Sequence, residues 1–290
     1  MRRSNLLSSK QCLELAVDIL KRRNIKDFRL EAEIIVSHIL DINNRVDLYL
    51  KDVKIDDYQS FQFRNLLKKR IKNYPIQYLT KRAFFYGLEF RVTEGVFIPR
   101  PETEILVDYT LNLIKDKEIE NPEILDIGTG CGNIAISLTK SLSNCKMTTT
   151  DISRVSLKIA QENAKRHNVL DKITFLEGDL FSPVDCKRRI DIIVCNPPYV
   201  TSDELGRLQA EVKKEPKLAL WGGEDGLFFY KKIIEASSLY LKPSGYLIFE
   251  LAEGRKEAVY RIFESNPLYK NIHTIKDYNN IDRVIIAQRL

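Results

Sequence analysis

Four consecutive residues, Asn196-Pro197-Pro198-Tyr199, close the apolar run Ile192-Ile193-Val194-Cys195 and carry the clearest chemistry in the chain. Proline fixes φ at about −65° and has no N–H to donate, so two in succession make a stiff loop whose carbonyls remain able to accept. The Asn196 side-chain oxygen and the Pro197 carbonyl can together hold the two hydrogens of a substrate –NH₂, while Tyr199 packs on the planar group. Such a site orients a weak nitrogen nucleophile and needs no general base if the proton leaves after transfer. His38, His167 and His273 lie outside the motifs. Asn-Pro also favours an ordinary turn, and the chemical reading rests on the loop's place after the fourth strand of an α/β pattern.

A second cluster opens at Glu123-Ile124-Leu125-Asp126-Ile127-Gly128-Thr129-Gly130-Cys131-Gly132, a strand running into a glycine loop and then into the helical Ile134–Leu138. A dinucleotide fingerprint needs G-x-G-x-x-G or Ala; here the third glycine comes one residue early and Asn133 takes the last position, which argues against a nicotinamide dinucleotide. At the end of the next strand Asp151 stands where an acid can accept from both hydroxyls of a ribose. A third acid, Asp179, is placed to meet an adenine amino group, with Leu180 or Phe181 against the ring. Singly, each acid reads equally well as a strand-end or helix-cap aspartate. At successive strand ends they form a nucleoside site. S-adenosylmethionine has the ribose without the pyrophosphate and is the cofactor expected, contacted by Asp126, the Gly128–Gly132 loop, Asp151, Asp179, and Leu180 or Phe181.

Positioning these residues requires parallel strands whose carboxyl ends converge. From Pro122 onward β-rich runs near 123–128, 146–151, 172–177, 190–195, 245–251, 270–276 and 282–288 alternate with helical patterns. This is the signature of an α/β fold, a doubly wound, mostly parallel seven-stranded sheet of the Rossmann-like, class I methyltransferase type. Residues 1–74 read differently. Ser8 with Gln11 forms a capping box ahead of Leu13, Ala16, Val17 and Leu20, and two further helical patterns follow, the last from Asp57 to Asn73 and ended by Pro75. The runs 83–86 and 89–92 flank Gly87-Leu88 as a hairpin. The expected division is therefore a helical bundle over 1–74, taken to recognise substrate, a connector over 75–100, and a catalytic domain over 101–290.

Composition bounds the alternatives. Hydrophobic residues make up 44% and charged residues 30% of 290, enough for a folded enzyme and too charged for a membrane or fibrous class. No apolar run reaches the length of a membrane span, and the first residues lack a secretory core, so a cytoplasmic protein is expected. The N-terminus is Arg- and Ser-rich, a faint transit-peptide likeness that leaves organellar import open, although it reads more simply as a lead-in to a helix. Five scattered cysteines without a C-x-x-C pair read as reduced thiols, and no metal site is expected. A net charge of +6 is compatible with a nucleic-acid partner but too diffuse to imply one, and Arg64, Lys68, Lys69, Arg70 and Lys72 read as a solvated helix face.

The motif set resembles the HemK-type (PrmC-like) protein-(glutamine) methyltransferases, which methylate the glutamine of the Gly-Gly-Gln loop of peptide chain release factors. The likeness goes beyond Asn-Pro-Pro-Tyr, which DNA adenine and ribosomal-RNA guanine methyltransferases share. It includes Pro75–Leu79, Phe97-Ile98-Pro99-Arg100-Pro101-Glu102-Thr103-Glu104, Glu215–Leu220, Gly222-Gly223-Glu224-Asp225-Gly226-Leu227 and Asp277…Asp282-Arg283-Val284, and so spans roughly residues 75–290. The resemblance implies cofactor contacts from Gly128 through Gly132, Asp151, Leu180 and Asn196. It implies Asn196, Pro197, Pro198 and Tyr199, with Arg100 and Glu102 of the connector motif, around the substrate glutamine, and release factors as partners. One departure is visible: the family tends to have Glu-x-Gly followed by Gln, where this chain has Glu250-Leu251-Ala252-Glu253-Gly254-Arg255, departing at Ala252 and Arg255. A glutamine of a large-subunit ribosomal protein, or an amino group of a nucleic acid, remains a rival substrate. A cofactor-binding module without activity is disfavoured by the intact substrate loop.

Overall fold

The computed structural model describes residues 7–42, 44–187 and 189–290. Residues 1–6, which carry part of the Arg- and Ser-rich stretch, lie outside the described residues. The chain divides into two units. The first takes residues up to Lys81 together with Ala210–Lys214, and the second takes Arg82–Gln209 and Glu215–Leu290.

The first unit holds α1 (Ser9–Arg22), α2 (Phe28–Leu40), α3 (Asp47–Leu50), α4 (Asp57–Arg70) and α5 (Ile76–Thr80). The capping box at Ser8 forms as the sequence dictates: its side chain accepts from Gln11 N–H, and the Gln11 side chain accepts from Ser8 N–H. Asp56 and Gln59 do the same for α4. The apolar faces meet in a core of Cys12, Ala16, Leu20, Ala32, Ile35, Val36, Leu48, Ile55, Phe63 and Leu67, each large member worth about 1.5–3 kcal/mol in water-exclusion. Two features depart from the sequence reading. The unit continues past Pro75, whose fixed φ starts α5 instead of ending the bundle. Arg70 is not on a solvated face: it is 1% exposed, and its guanidinium pairs with Glu31 and, at 2.6 Å, with Glu211. A guanidinium tolerates burial when its forked donors meet carboxylates, and that pairing overrides the polar reading of the helix face.

The second unit begins with the hairpin β1 (Arg82–Phe85) and β2 (Leu88–Arg91). Then come α6 (Glu104–Asp116), β3 (Glu123–Ile127), α7 (Asn133–Ser141), β4 (Lys146–Asp151), α8 (Arg154–Arg166), β5 (Ile173–Glu177), β6 (Ile190–Cys195) and α9 (Ser202–Arg207). It closes with α10 (Phe228–Ser237), β7 (Leu241–Glu250), α11 (Lys256–Glu264), β8 (Tyr269–Lys276) and β9 (Asp282–Arg289). The seven strands of the sheet lie in the order β5-β4-β3-β6-β7-β9-β8. All pairings are parallel except those of β9, which runs antiparallel to β7 and to β8. The expected doubly wound, mostly parallel sheet is thus present. Its strand order reverses between β3 and β6, the kind of switch point where open α/β sheets bind ligands. Among the described residues no helix is long and apolar enough to cross a membrane.

Candidate active site

Register sets the site. Ile127 at the end of β3 pairs with Thr150 of β4 and with Cys195 of β6, and Cys195 pairs in turn with Phe249 of β7. The next residue of each strand, Asp151, Gly128, Asn196 and Glu250 in spatial order, therefore emerges at one level along the carboxyl edge of the sheet. Residues far apart in sequence become a row because adjacent parallel strands are about 4.8 Å apart.

The glycine loop is held by its neighbour strand. Gly128 N–H and Thr129 N–H both donate to the Thr150 carbonyl, at 2.8 and 3.1 Å, and Gly130 N–H donates to Asp151 Oδ2 at 2.9 Å. The other Asp151 oxygen accepts from Ser153 N–H at 2.8 Å, so each oxygen keeps a lone pair for a ligand hydroxyl. Burial raises the Asp151 carboxyl above its ordinary range, with those two N–H donors opposing it. Above Gly128 the space is open, since an added Cβ would meet nothing within 4 Å, and at Gly130 it would meet only Phe97 Cβ at 3.9 Å. An oriented carboxylate beside open, side-chain-free backbone fits the ribose of S-adenosylmethionine. Asp126, Thr129 and Cys131 are buried at 0%, 3% and 1% exposure. Burial pushes the Asp126 carboxyl up to about 7 and the Cys131 thiol up to about 12. Asp179 is exposed and Leu180 half-exposed. Phe181 is in the core, its ring stacked on Tyr240 at 4.6 Å, which leaves Leu180 as the member of that pair able to meet a ligand.

The Asn196–Tyr199 loop is fixed by the segment that follows it. Val200 N–H donates to the Leu220 carbonyl and Gly222 N–H to the Val200 carbonyl, at 2.8 and 2.9 Å. Gly222 presses on the loop so closely that a Cβ there would stand 2.6 Å from both the Pro198 oxygen and Tyr199 Cα. At Gly226 it would stand 2.5 Å from the Tyr199 oxygen. Only glycine allows these approaches. Behind the loop, Asn196 Nδ2 donates to Thr103 Oγ1 at 3.2 Å, and Thr103 donates to a Glu250 carboxylate oxygen at 2.5 Å. Burial pushes the Glu250 carboxyl up to about 7; the Thr103 hydrogen bond, Arg283 and Arg100 act against that rise and Glu102 with it. Burial likewise raises the Tyr199 hydroxyl, so the ring stays neutral.

Comparison with known proteins accords with this geometry. Residues 90–214 match the methyltransferase small domain and residues 11–80 the PrmC N-terminal domain. A release factor glutamine methyltransferase of Fusobacterium nucleatum is 38% identical over 276 residues, covering 94% of this chain and 77% of that protein. Another, from Thermodesulfovibrio yellowstonii, is 40% identical over 262 residues, covering 89% and 92%. The chain belongs to the release factor glutamine methyltransferase family. In fold it is similar to a methyltransferase from Pyrococcus furiosus, with a TM-score of 0.52 at 20% identity over 77% of this chain and 98% of the other.

Within this family frame, several residues do more than their motifs announced. Arg100 pairs with Glu215, whose other oxygen accepts from Ile98 N–H at 3.1 Å, and the guanidinium lies over the Phe97 ring at 4.9 Å. Arg100 thus locks the connector to the segment after the Asn196–Tyr199 loop, while Glu102 is exposed. Asn163 of α8 was not singled out by sequence. Its amide donates to the carbonyls of Cys131 and Arg91, at 2.8 and 3.0 Å, and accepts from Arg91 N–H at 2.7 Å, clamping the glycine loop to the hairpin. Thr103 and Glu250 lay inside quoted motifs, yet nothing local pairs residues 147 apart. Arg255 donates to both Glu204 oxygens at 2.9 and 3.0 Å. Glu204 caps α9 through Thr201, so Arg255 secures the helix that follows the Asn196–Tyr199 loop.

Proposed function

We propose that this chain transfers a methyl group from S-adenosylmethionine to the side-chain amide nitrogen of the glutamine in the Gly-Gly-Gln motif of peptide chain release factors. The observation that carries the reading is the locked Asn196-Pro197-Pro198-Tyr199 loop one strand away from the glycine loop and two from Asp151. The relatives named above supply the substrate.

The cofactor supplies an electrophilic sulfonium methyl. Asp151 holds its ribose, and the open backbone at Gly128 and Gly130 gives it room, with Leu180 beside the base. Asn196 Oδ1 and the Pro197 carbonyl accept from the glutamine –NH₂, and Tyr199 supports the amide plane. An amide nitrogen is a poor nucleophile because its lone pair is delocalised, so the two acceptors must hold it as it pyramidalises. Their hydrogen bonds strengthen as positive charge grows on nitrogen, which makes them transition-state interactions. The proton then leaves to solvent. Incubation with labelled S-adenosylmethionine and release factor, ribosomes or DNA tests the reading. Label is expected on the release-factor glutamine, and label on ribosomes or DNA alone overturns it.

The helical unit carries no cofactor motif but exposes Tyr58, Phe61, Tyr49 and Leu50, and its role in this reading is to recognise the release factor. A photo-crosslinker at Phe61 should capture release factor. Crosslinks confined to positions in the catalytic unit would refute that role.

A further inference from the structure

We propose that Thr103 and Glu250 are positioning residues for Asn196: the Thr103 hydroxyl, held by the Glu250 carboxylate, fixes which edge of the Asn196 amide meets the substrate. The proposal rests on the reading of Asn196 as the acceptor for the glutamine –NH₂.

A primary amide has a donor edge and an acceptor edge of nearly identical shape, so an Asn used as an acceptor needs something to stop it turning over. Thr103 is 1% exposed and Glu250 3%. The single Thr103 proton is donated to Glu250 Oε2, and an ionised carboxylate can only accept there. With that proton committed, Thr103 Oγ1 can only accept, and Asn196 Nδ2 donates to it at 3.2 Å. The amide oxygen is then the atom available to a substrate –NH₂. A buried carboxylate at the end of β7 is a costly way to fill space, and an apolar side chain would serve packing better. An acceptor for Thr103 is what the carboxylate adds.

The direction of the chain of hydrogen bonds depends on the charge of Glu250. Once protonated, the carboxyl can donate to Thr103, whose own proton turns to Asn196 and selects the opposite edge. The charged groups that act on Glu250 are Glu102 from the connector, which opposes ionisation, and Arg100 and Arg283, which favour it. Tyr230 donates to the Glu250 main-chain oxygen at 2.8 Å and does not compete for the carboxylate. With the carboxyl titrating at about 7, the productive edge is presented above that pH and lost below it.

The test uses the full chain with Thr103→Val, Thr103→Ser and Glu250→Gln. Single-turnover methylation of release factor at saturating cofactor should fall about 10–10²-fold in Thr103→Val, the scale of a misplaced reacting group. Cofactor affinity by calorimetry should hold, and Thr103→Ser should return most of the rate. The parent rate should rise with pH through about 7, and Glu250→Gln should flatten that limb. Independently of turnover, Asn196 side-chain amide protons in ¹⁵N-labelled protein should be protected from exchange in the parent and Thr103→Ser, and lose protection in Thr103→Val. Parental rate and protection in Thr103→Val, or an equal loss in Val and Ser variants, overturn the proposal. A parent that protects the amide but methylates no release factor sinks the functional reading and leaves the orientation of Asn196 standing.

Discussion

Gly222 lies so close to Tyr199 that a Cβ on it would stand 2.6 Å from Tyr199 Cα and 2.9 Å from Tyr199 C. The contact is with backbone, which cannot swing aside as a flexible side chain would. Gly222→Ala must therefore push the Asn196–Tyr199 loop away from the position that Val200 and Leu220 give it. A loss of about 1–3 kcal/mol in stability is expected from the forced contact. Methylation should fall about 10²-fold, since a shift of that size misplaces the reacting amide. Cofactor affinity, measured by calorimetry, should stay within a few-fold. A Gly222→Ala protein with parental turnover would mean that the loop's position does not control the reaction.

Asn196→Ala should cut single-turnover methylation by roughly 10²–10³, the effect of removing one preorganised polar partner, with cofactor binding nearly intact. Asn196→Asp retains the acceptor but adds a charge beside the sulfonium and loses the donor to Thr103, so its rate should lie between alanine and parent. A rate for Asn196→Ala equal to the parent's on a Gly-Gly-Gln substrate would exclude the acceptor role.

Asp151 accepts from Gly130 N–H on one oxygen and from Ser153 N–H on the other, which leaves each oxygen a lone pair for a ligand hydroxyl. Asp151→Ala should weaken S-adenosylmethionine binding by about 1–3 kcal/mol, the range for hydrogen bonds to a charged acceptor. Titration calorimetry reads this directly, and unchanged affinity would remove Asp151 from the site.

Glu250 and Asp126 are both pushed up to about 7 by burial, from ordinary values of 4.5 and 3.8. The folded protein holds these protons to higher pH than the unfolded chain does. Linkage then makes stability fall as pH rises, for Glu250 between 4.5 and about 7 and for Asp126 between 3.8 and about 7. Denaturant midpoints between pH 5 and 8, measured without cofactor, should decline with pH, less steeply in Glu250→Gln. A slope identical in parent and variant would show that Glu250 does not titrate in that range.

Arg70 should prove the most sensitive charged residue of the helical unit. Its side chain is 1% exposed between Glu31 at 12% and Glu211 at 38%. Arg70→Ala leaves Glu31 largely buried without its cation and should cost about 3–5 kcal/mol. Glu211→Ala removes a carboxylate already well solvated and should cost under about 1 kcal/mol. Equal losses in chemical denaturation would contradict the difference in burial.

The sequence by itself determined what depends on near neighbours. The alternation of strand and helix gave the sheet, the helical capping box at Ser8 followed from residues three apart, and the glycine loop and Asn196–Tyr199 loop were marked by glycine and proline. Each of these rests on backbone preferences and periodicities that act over a few residues. Tertiary structure decided everything that needed strand order and register. Only the placement of β6 between β3 and β7 sets Asn196 between Gly128 and Glu250. Only packing joins Thr103 to Glu250, Asn163 to Cys131, Gly222 to Tyr199, and Arg70 to Glu211 across 141 residues. No sequence period connects such pairs. Phe181 makes the same point: an aromatic after Asp179 was as good a cofactor contact as Leu180 until the fold buried its ring against Tyr240. Arg70 does so too, because a charge is read as solvated until two carboxylates are brought to it.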